Sequence, residues 1–123
     1  MHYNSDATEK DADATVDAIK GMGRNAIAIQ GDLTKADNVT ALFQQAKDHF
    51  GGIDVAVNTV GKVLRKPIIE TTEAEFDEMM AINAKSAYFF IKESGLYRLR
   101  QGWPGCLTTR PAVAGHRSAF SQL

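Results

Sequence analysis

The side chains best placed to do chemistry stand at the ends of short apolar runs. Asp32 follows the run 26–29 after Gln30 and Gly31, and Asn58 follows the run 53–57 and leads into Thr59, Val60 and Gly61. Polar groups at the ends of two such runs give a place for a ligand, although they do not by themselves name one. A third polar residue, Asn83, lies inside a helical stretch among Met80, Ile82 and Ala84. An amide is locally disfavoured there, because it competes for backbone hydrogen bonds. Other candidates carry less. Cys106 is alone and can build neither an intrachain disulfide nor a zinc site. His49, near a helix end, reads as a solvated or dipole-complementing side chain, and Met79 and Met80 read as core residues, not a ligand pair. No metal site is expected.

The elements that must position these residues alternate in type. Asp6-x-x-Glu9 has capping-box spacing, and Ala12, Val16, Ile19 and Met22 recur at helical spacing until Gly21 and Gly23 stop the run. Residues 26–29 read as a short buried strand emptying into a loop. Thr34 is placed to cap a helix over about 35–50, whose Val39, Leu42, Phe43, Ala46 and Phe50 form one stripe and whose Gly51-Gly52 provides the exit. Residues 53–57 form the next strand. Beyond Pro67, Thr72-x-x-Glu75 opens a helix that carries Phe76, Met79, Met80, Ala87 and Phe90 to about Lys92. Strands alternating with helices imply parallel pairing through right-handed crossovers, hence an open α/β sheet with helices on both faces. Ligands of such sheets bind outside the carboxyl ends of the strands, which places Asp32, Leu33 and residues 58–61 on one rim.

Composition bounds the rest. The chain has 123 residues, 44% apolar and 24% charged, with a formal charge of −1, as expected of one soluble globular domain. The total conceals a division: residues 1–93 carry 10 Lys and Arg against 15 Asp and Glu, a net of −5, whereas residues 94–123 carry four Arg and no acid, a net of +4. The latter part follows neither period 2 nor period 3.6 and is punctuated by Gly and Pro, so an irregular, unrelated-looking tail is expected at 94–123. A near-neutral balance gives no reason to expect nucleic acid. No run reaches the length of a membrane span and the first residues lack the form of a signal peptide, so the expected address is cytoplasmic, without membrane contact.

Gly31-Asp32-Leu33-Thr34, the run 52–61 and Met80-Ala81-Ile82-Asn83, in that order, together resemble the short-chain dehydrogenase/reductase family over residues 1 to about 93. The resemblance implies a Rossmann domain that binds NAD or NADP: a doubly wound parallel sheet in three α/β/α layers, here partial, lacking the first strand and the later ones. It assigns the adenine ring to the carboxylate at Asp32 and the main chain at Leu33. Asn58, Val60 and Gly61 match the family's N-N-A-G stretch, where the backbone approaches the cofactor, with Thr59 and Val60 in place of the second Asn and the Ala. Asn83 matches the helix asparagine that disturbs a helical turn and holds a water of the proton relay. Tyr3, Asn4 and Ser5 resemble the end of the strand that faces the adenosine ribose. All three can donate to a 2′-phosphate that an acid would repel, so NADP is preferred, with NAD possible.

The family's sheet order, 3-2-1-4, makes the runs 26–29 and 53–57 non-neighbours, with residues 1–3 as the end of strand two and an absent strand one between them. The glycine-rich pyrophosphate turn would precede Met1, and the strand bearing the catalytic serine is also missing. Tyr88 and Lys92 have the spacing of the family's catalytic pair, but they follow Asn83 too closely and read as core. The implied activity is hydride transfer between NADP and a small-molecule carbonyl or secondary alcohol, in a family that is usually homo-oligomeric, with this chain inactive alone. The alternative is a non-catalytic truncated fragment that at most pairs with an intact relative.

Overall fold

The computed structural model describes residues 1–100. Strands β1 (His2–Tyr3) and β2 (Ile29–Gln30) pair in parallel, His2 opposite Ile29 and Tyr3 opposite Gln30. The Ile29 amide donates to the Met1 carbonyl (2.9 Å) and the Gly31 amide to the Tyr3 carbonyl (3.0 Å). Parallel neighbours need a long crossover. Helix α1 (Glu9–Gly21) provides it, entered by a 3₁₀ turn at Asp6–Thr8 and turned inward on Ala12 and Val16. Helix α2 (Ala36–Phe50) follows β2 and stops at Gly51, whose φ of 82° lies in the left-handed region that glycine tolerates without a Cβ penalty. Helix α3 (Glu73–Met80), a π-helical turn (Ala81–Lys85) and α4 (Ser86–Arg100) then form one helical run. This is a partial α/β fold of Rossmann type, with a short parallel sheet.

The main core lies where α2 packs on α4. Val39 is fully buried, and the Phe43 ring meets Phe90 edge-on at 5.1 Å and stacks on Tyr97 at 5.7 Å. Leu33 joins this cluster, and Ile53, Ala56 and Val60 pack against it, so the loops that carry the rim are anchored in the core. Two hydrogen bonds link the same helices: Thr40 Oγ1 to the buried Glu93 carboxylate (3.1 Å) and Tyr97 Oη to Gln44 Oε1 (2.9 Å).

Several local expectations are revised. The Asp6/Glu9 capping box does not form. Asp6 instead accepts a bond from Gln30 Nε2 (2.6 Å), and the α1 cap, Thr8, has no side-chain cap bond. Thr34 does not cap α2, whose cap position is Lys35, because its hydroxyl is spent on Asp32. Met22 falls beyond the last turn of α1 and is exposed. Only the end of the run 26–29 is paired, as far as β1 reaches, and residues 53–57 have no ladder partner among the described residues. Val55 and Val57 accordingly stand 75% and 67% exposed while Ala56 packs inward. In contrast, the Thr72/Glu75 capping box is complete. Phe76 and Met80, expected in the core, are exposed, and so is Tyr88. The helical run also continues past Glu93: Ser94 and Tyr97 are buried in α4, so the charge boundary is not an element boundary, and residues 101–123 lie outside the described residues.

Candidate functional site

The turn after β2 is built around one carboxylate. Asp32 Oδ1 accepts from both the Thr34 hydroxyl (2.6 Å) and the Thr34 amide (3.0 Å), and the Asp32 carbonyl accepts from Asn38 Nδ2 (3.0 Å). The Thr34 hydroxyl, then the Thr34 amide, hold the Asp32 carboxyl below its ordinary range, helped by the charges of Lys35 and Lys85. Asp32 is therefore a fixed anion at neutral pH, able only to accept. His2 braces the same turn from β1, its Nε2 donating to the Gly31 carbonyl (2.5 Å).

The second turn is held from inside and from outside. Asn58 is 5% exposed and its Oδ1 accepts from the Val60 amide (3.0 Å), which bends the chain so that Val60 packs on the core. From the helix, Asn83 Oδ1 accepts from the Lys62 amide (2.9 Å) while its Nδ2 donates to the Lys62 carbonyl (2.9 Å). One amide side chain thus satisfies both main-chain groups of one residue. Asn83 reaches them from the π-helical turn, the irregularity that a helix-interior asparagine pointed to. A Cβ on Gly61 would stand 3.3 Å from Asn83 Oδ1, a tight contact that a larger residue would relieve only by shifting the amide a few tenths of an ångström.

A cavity of about 860 Å³ opens between the two turns. Tyr3, Asn4, Asp32, Leu33, Val60 and Gly61 all line it, so six of the residues expected at the site, from three separate stretches, meet there. Ser5, Asn58 and Asn83 do not. Ser5 is exposed and its carbonyl receives Thr8, whereas Asn58 and Asn83 shape the turn from behind. Tyr88 and Lys92 also lie off the cavity, with the Lys92 ammonium 5.6 Å over the Phe89 ring. The phenol of Tyr3 is held above its ordinary value by desolvation and then by the charges of Glu9, Asp13 and Asp6, so it stays a neutral donor. Lys62 and Glu78, joined by a 2.5 Å ion pair, were not singled out in the sequence although both line the cavity. Lys62 directly follows Gly61, which was the available signal. The cavity volume lies within the roughly 300–1,000 Å³ of small-molecule and cofactor sites, and its donors and acceptors fit a nucleotide.

A family model described as enoyl-(acyl carrier protein) reductase matches residues 2–120, past the point near residue 93 where the resemblance was expected to end. A hydroxynaphthalene reductase-like protein of Metarhizium anisopliae is 38% identical over 120 residues, which is 98% of this chain and 43% of that protein. Among solved structures, a protein of Burkholderia cenocepacia described as a dehydrogenase, with bound NADP, superposes with a TM-score of 0.77 at 54% identity over 79% of this chain and 37% of its own. A blue fluorescent protein from a metagenomic library, in complex with NADPH, gives a TM-score of 0.72 at 30% identity over 77% of this chain and 38% of its own. The chain therefore spans less than half the length of these relatives. With the two turns meeting at one cavity and a match running through almost every residue, this chain belongs to the short-chain dehydrogenase/reductase family.

Proposed function

We propose that the cavity takes a nicotinamide dinucleotide, NADP in preference to NAD, and that the whole protein transfers hydride between it and a small-molecule carbonyl or secondary alcohol. The observation that carries this reading is the convergence of Tyr3, Asn4, Asp32, Leu33, Val60 and Gly61 on one cavity at the carboxyl end of the parallel pair. When bound, the nicotinamide supplies the hydride. The chain's own residues bind and orient: Asp32 accepts from the adenine amine, Leu33 offers main chain beside it, and Tyr3 and Asn4, with Ser5 next to them, donate to a 2′-phosphate. Asn58 and Asn83 act as positioning residues, since each holds the turn at 58–62 and neither lines the cavity. The structures with bound NADP and NADPH support the preference, because the first of them is 54% identical to this chain. Asn83 is the one member of the family's relay identified in this sequence. The chain by itself is accordingly expected to bind cofactor without turnover.

Titration of the purified chain with NADP and NAD, followed by protein fluorescence, should give tighter binding of NADP. Equal affinities would remove the preference, and oxidation of NADPH on adding a ketone would overturn the inactivity. A second reading, a non-catalytic fragment that pairs with an intact relative, draws on the exposed Phe76, Met80 and Tyr88 of the α3–α4 run. Mixed oligomers in native mass spectrometry would favour it.

A further inference from the structure

Lys62 is fixed before its side chain begins, because Asn83 holds both its amide and its carbonyl. From that anchor its ammonium reaches Glu78 Oε1 at 2.5 Å, with the two side chains 49% and 50% exposed. An ion pair so exposed is worth little and exchanges readily for a better partner. The surrounding charge makes the exchange consequential. Asp11, Asp32 and Glu78 bring three carboxylates to the cavity, and Lys62 carries the one side-chain ammonium or guanidinium among the described residues that line it. His2, also on the wall, commits its Nε2 to Gly31. A dinucleotide brings the negative charge of its diphosphate into this acidic setting, and a lysine bonded to phosphate oxygens is the natural compensation.

We propose that Lys62 is a phosphate-binding residue: on nucleotide binding its ammonium leaves Glu78 for the diphosphate, and Glu78 is the counter-ion of the free state that competes with the ligand. This role rests on the cavity taking a dinucleotide. It also separates two pairs that look alike. Lys66 bonds Glu75 at 3.0 Å and ties the same loop to the same helix, but neither residue lines the cavity.

The test is calorimetric titration of the chain and its Lys62→Gln, Glu78→Gln and Lys66→Gln variants with NADP, inorganic pyrophosphate and adenosine. Lys62→Gln should weaken NADP and pyrophosphate by roughly tenfold and leave adenosine unchanged, as expected for loss of a charge-assisted bond. Glu78→Gln should tighten both anions by roughly two- to fivefold, because it removes the competitor. Lys66→Gln should change none of the three. The proposal is overturned if Lys62→Gln binds NADP like the parent chain, or if its adenosine affinity falls in step with NADP. Weakening by Glu78→Gln would also overturn it, since a merely structural tie predicts that sign. A parent chain that binds neither NADP nor adenosine would overturn the dinucleotide reading itself, a result distinct from an indifferent Lys62.

Discussion

At the scale of single residues, the site is organised by side chains that stand in for backbone. Asp32 receives a hydroxyl and an amide from Thr34, Asn58 receives the Val60 amide, and Asn83 receives and donates at Lys62. The Asn83 contact depends on chemistry as well as shape, because its Nδ2 faces a carbonyl. Replacing Asn83 by Ala should cost about 1 kcal/mol, the net worth of one or two exposed hydrogen bonds. Asn83→Asp keeps the size but sets a carboxylate oxygen against the Lys62 carbonyl, so it should destabilise more than Ala does. Urea unfolding midpoints of the two variants check the order, and an aspartate as stable as the parent would remove the two-point bond. The side chain that makes it belongs to an exposed residue, so burial plays little part.

At the scale of elements, capping and charge decide where helix α3 begins. Glu75 accepts from the Thr72 amide (2.8 Å) and hydroxyl (2.9 Å) and from the Lys66 ammonium (3.0 Å). The Thr72 amide first, then Lys66 and the Thr72 hydroxyl, lower its carboxyl from 4.5 to about 2. A group whose folded pKa is depressed contributes its stability in full above the unfolded value and loses it as the pH falls through the folded value. The start of α3, with the loop that Lys66 ties to it, should therefore weaken from about pH 4.5 down to about pH 2. Thermal midpoints measured across that window should fall more steeply for the parent than for Glu75→Gln, and the two curves should converge near the lower limit. Parallel curves would show that the box contributes nothing. Along the same helical run, the π-helical turn at Ala81–Lys85 shifts the register of the face behind it. A stripe read at constant helical spacing from Phe76 to Phe90 therefore does not stay on one face, and Phe90 is buried while Phe76 and Met80 are not.

At the scale of the whole molecule, the core is asymmetric. It is well packed where α2, α4 and the loops at 33 and 53–60 meet, and thin around the two-residue strands. Tyr97 lies beyond the point where acidic residues and lysine disappear from the sequence, yet it stacks on Phe43 and donates to Gln44. Tyr97→Phe keeps the stack and should cost about 1 kcal/mol through the lost bond. Tyr97→Ala should cost roughly 3–5 kcal/mol, the range for removing a buried aromatic ring. Denaturant midpoints distinguish the two, and a neutral Tyr97→Ala would show that α4 ends its structural role before residue 97.

The helices, the strand that ends at Gln30, the two turns and the polar residues on them were readable from local pattern, because apolar period and glycine placement act over a few residues at a time. The capping box at Thr72 and the left-handed stop at Gly51 belong to the same class. Pairing and partner choice did not. Thr34 could serve the helix end or the Asp32 carboxylate two residues before it, and the local turn won; Asp6 left its helix end for Gln30, 24 residues away, a choice made by segments brought close in space. Residues 53–57 have strand-forming side chains but no neighbouring edge among the described residues, and a strand exists only when another one completes its hydrogen bonds. The cavity itself, with Lys62 and Glu78 on its wall, was decided by tertiary structure alone, since distance between residues far apart in the chain is set by packing and not by spacing.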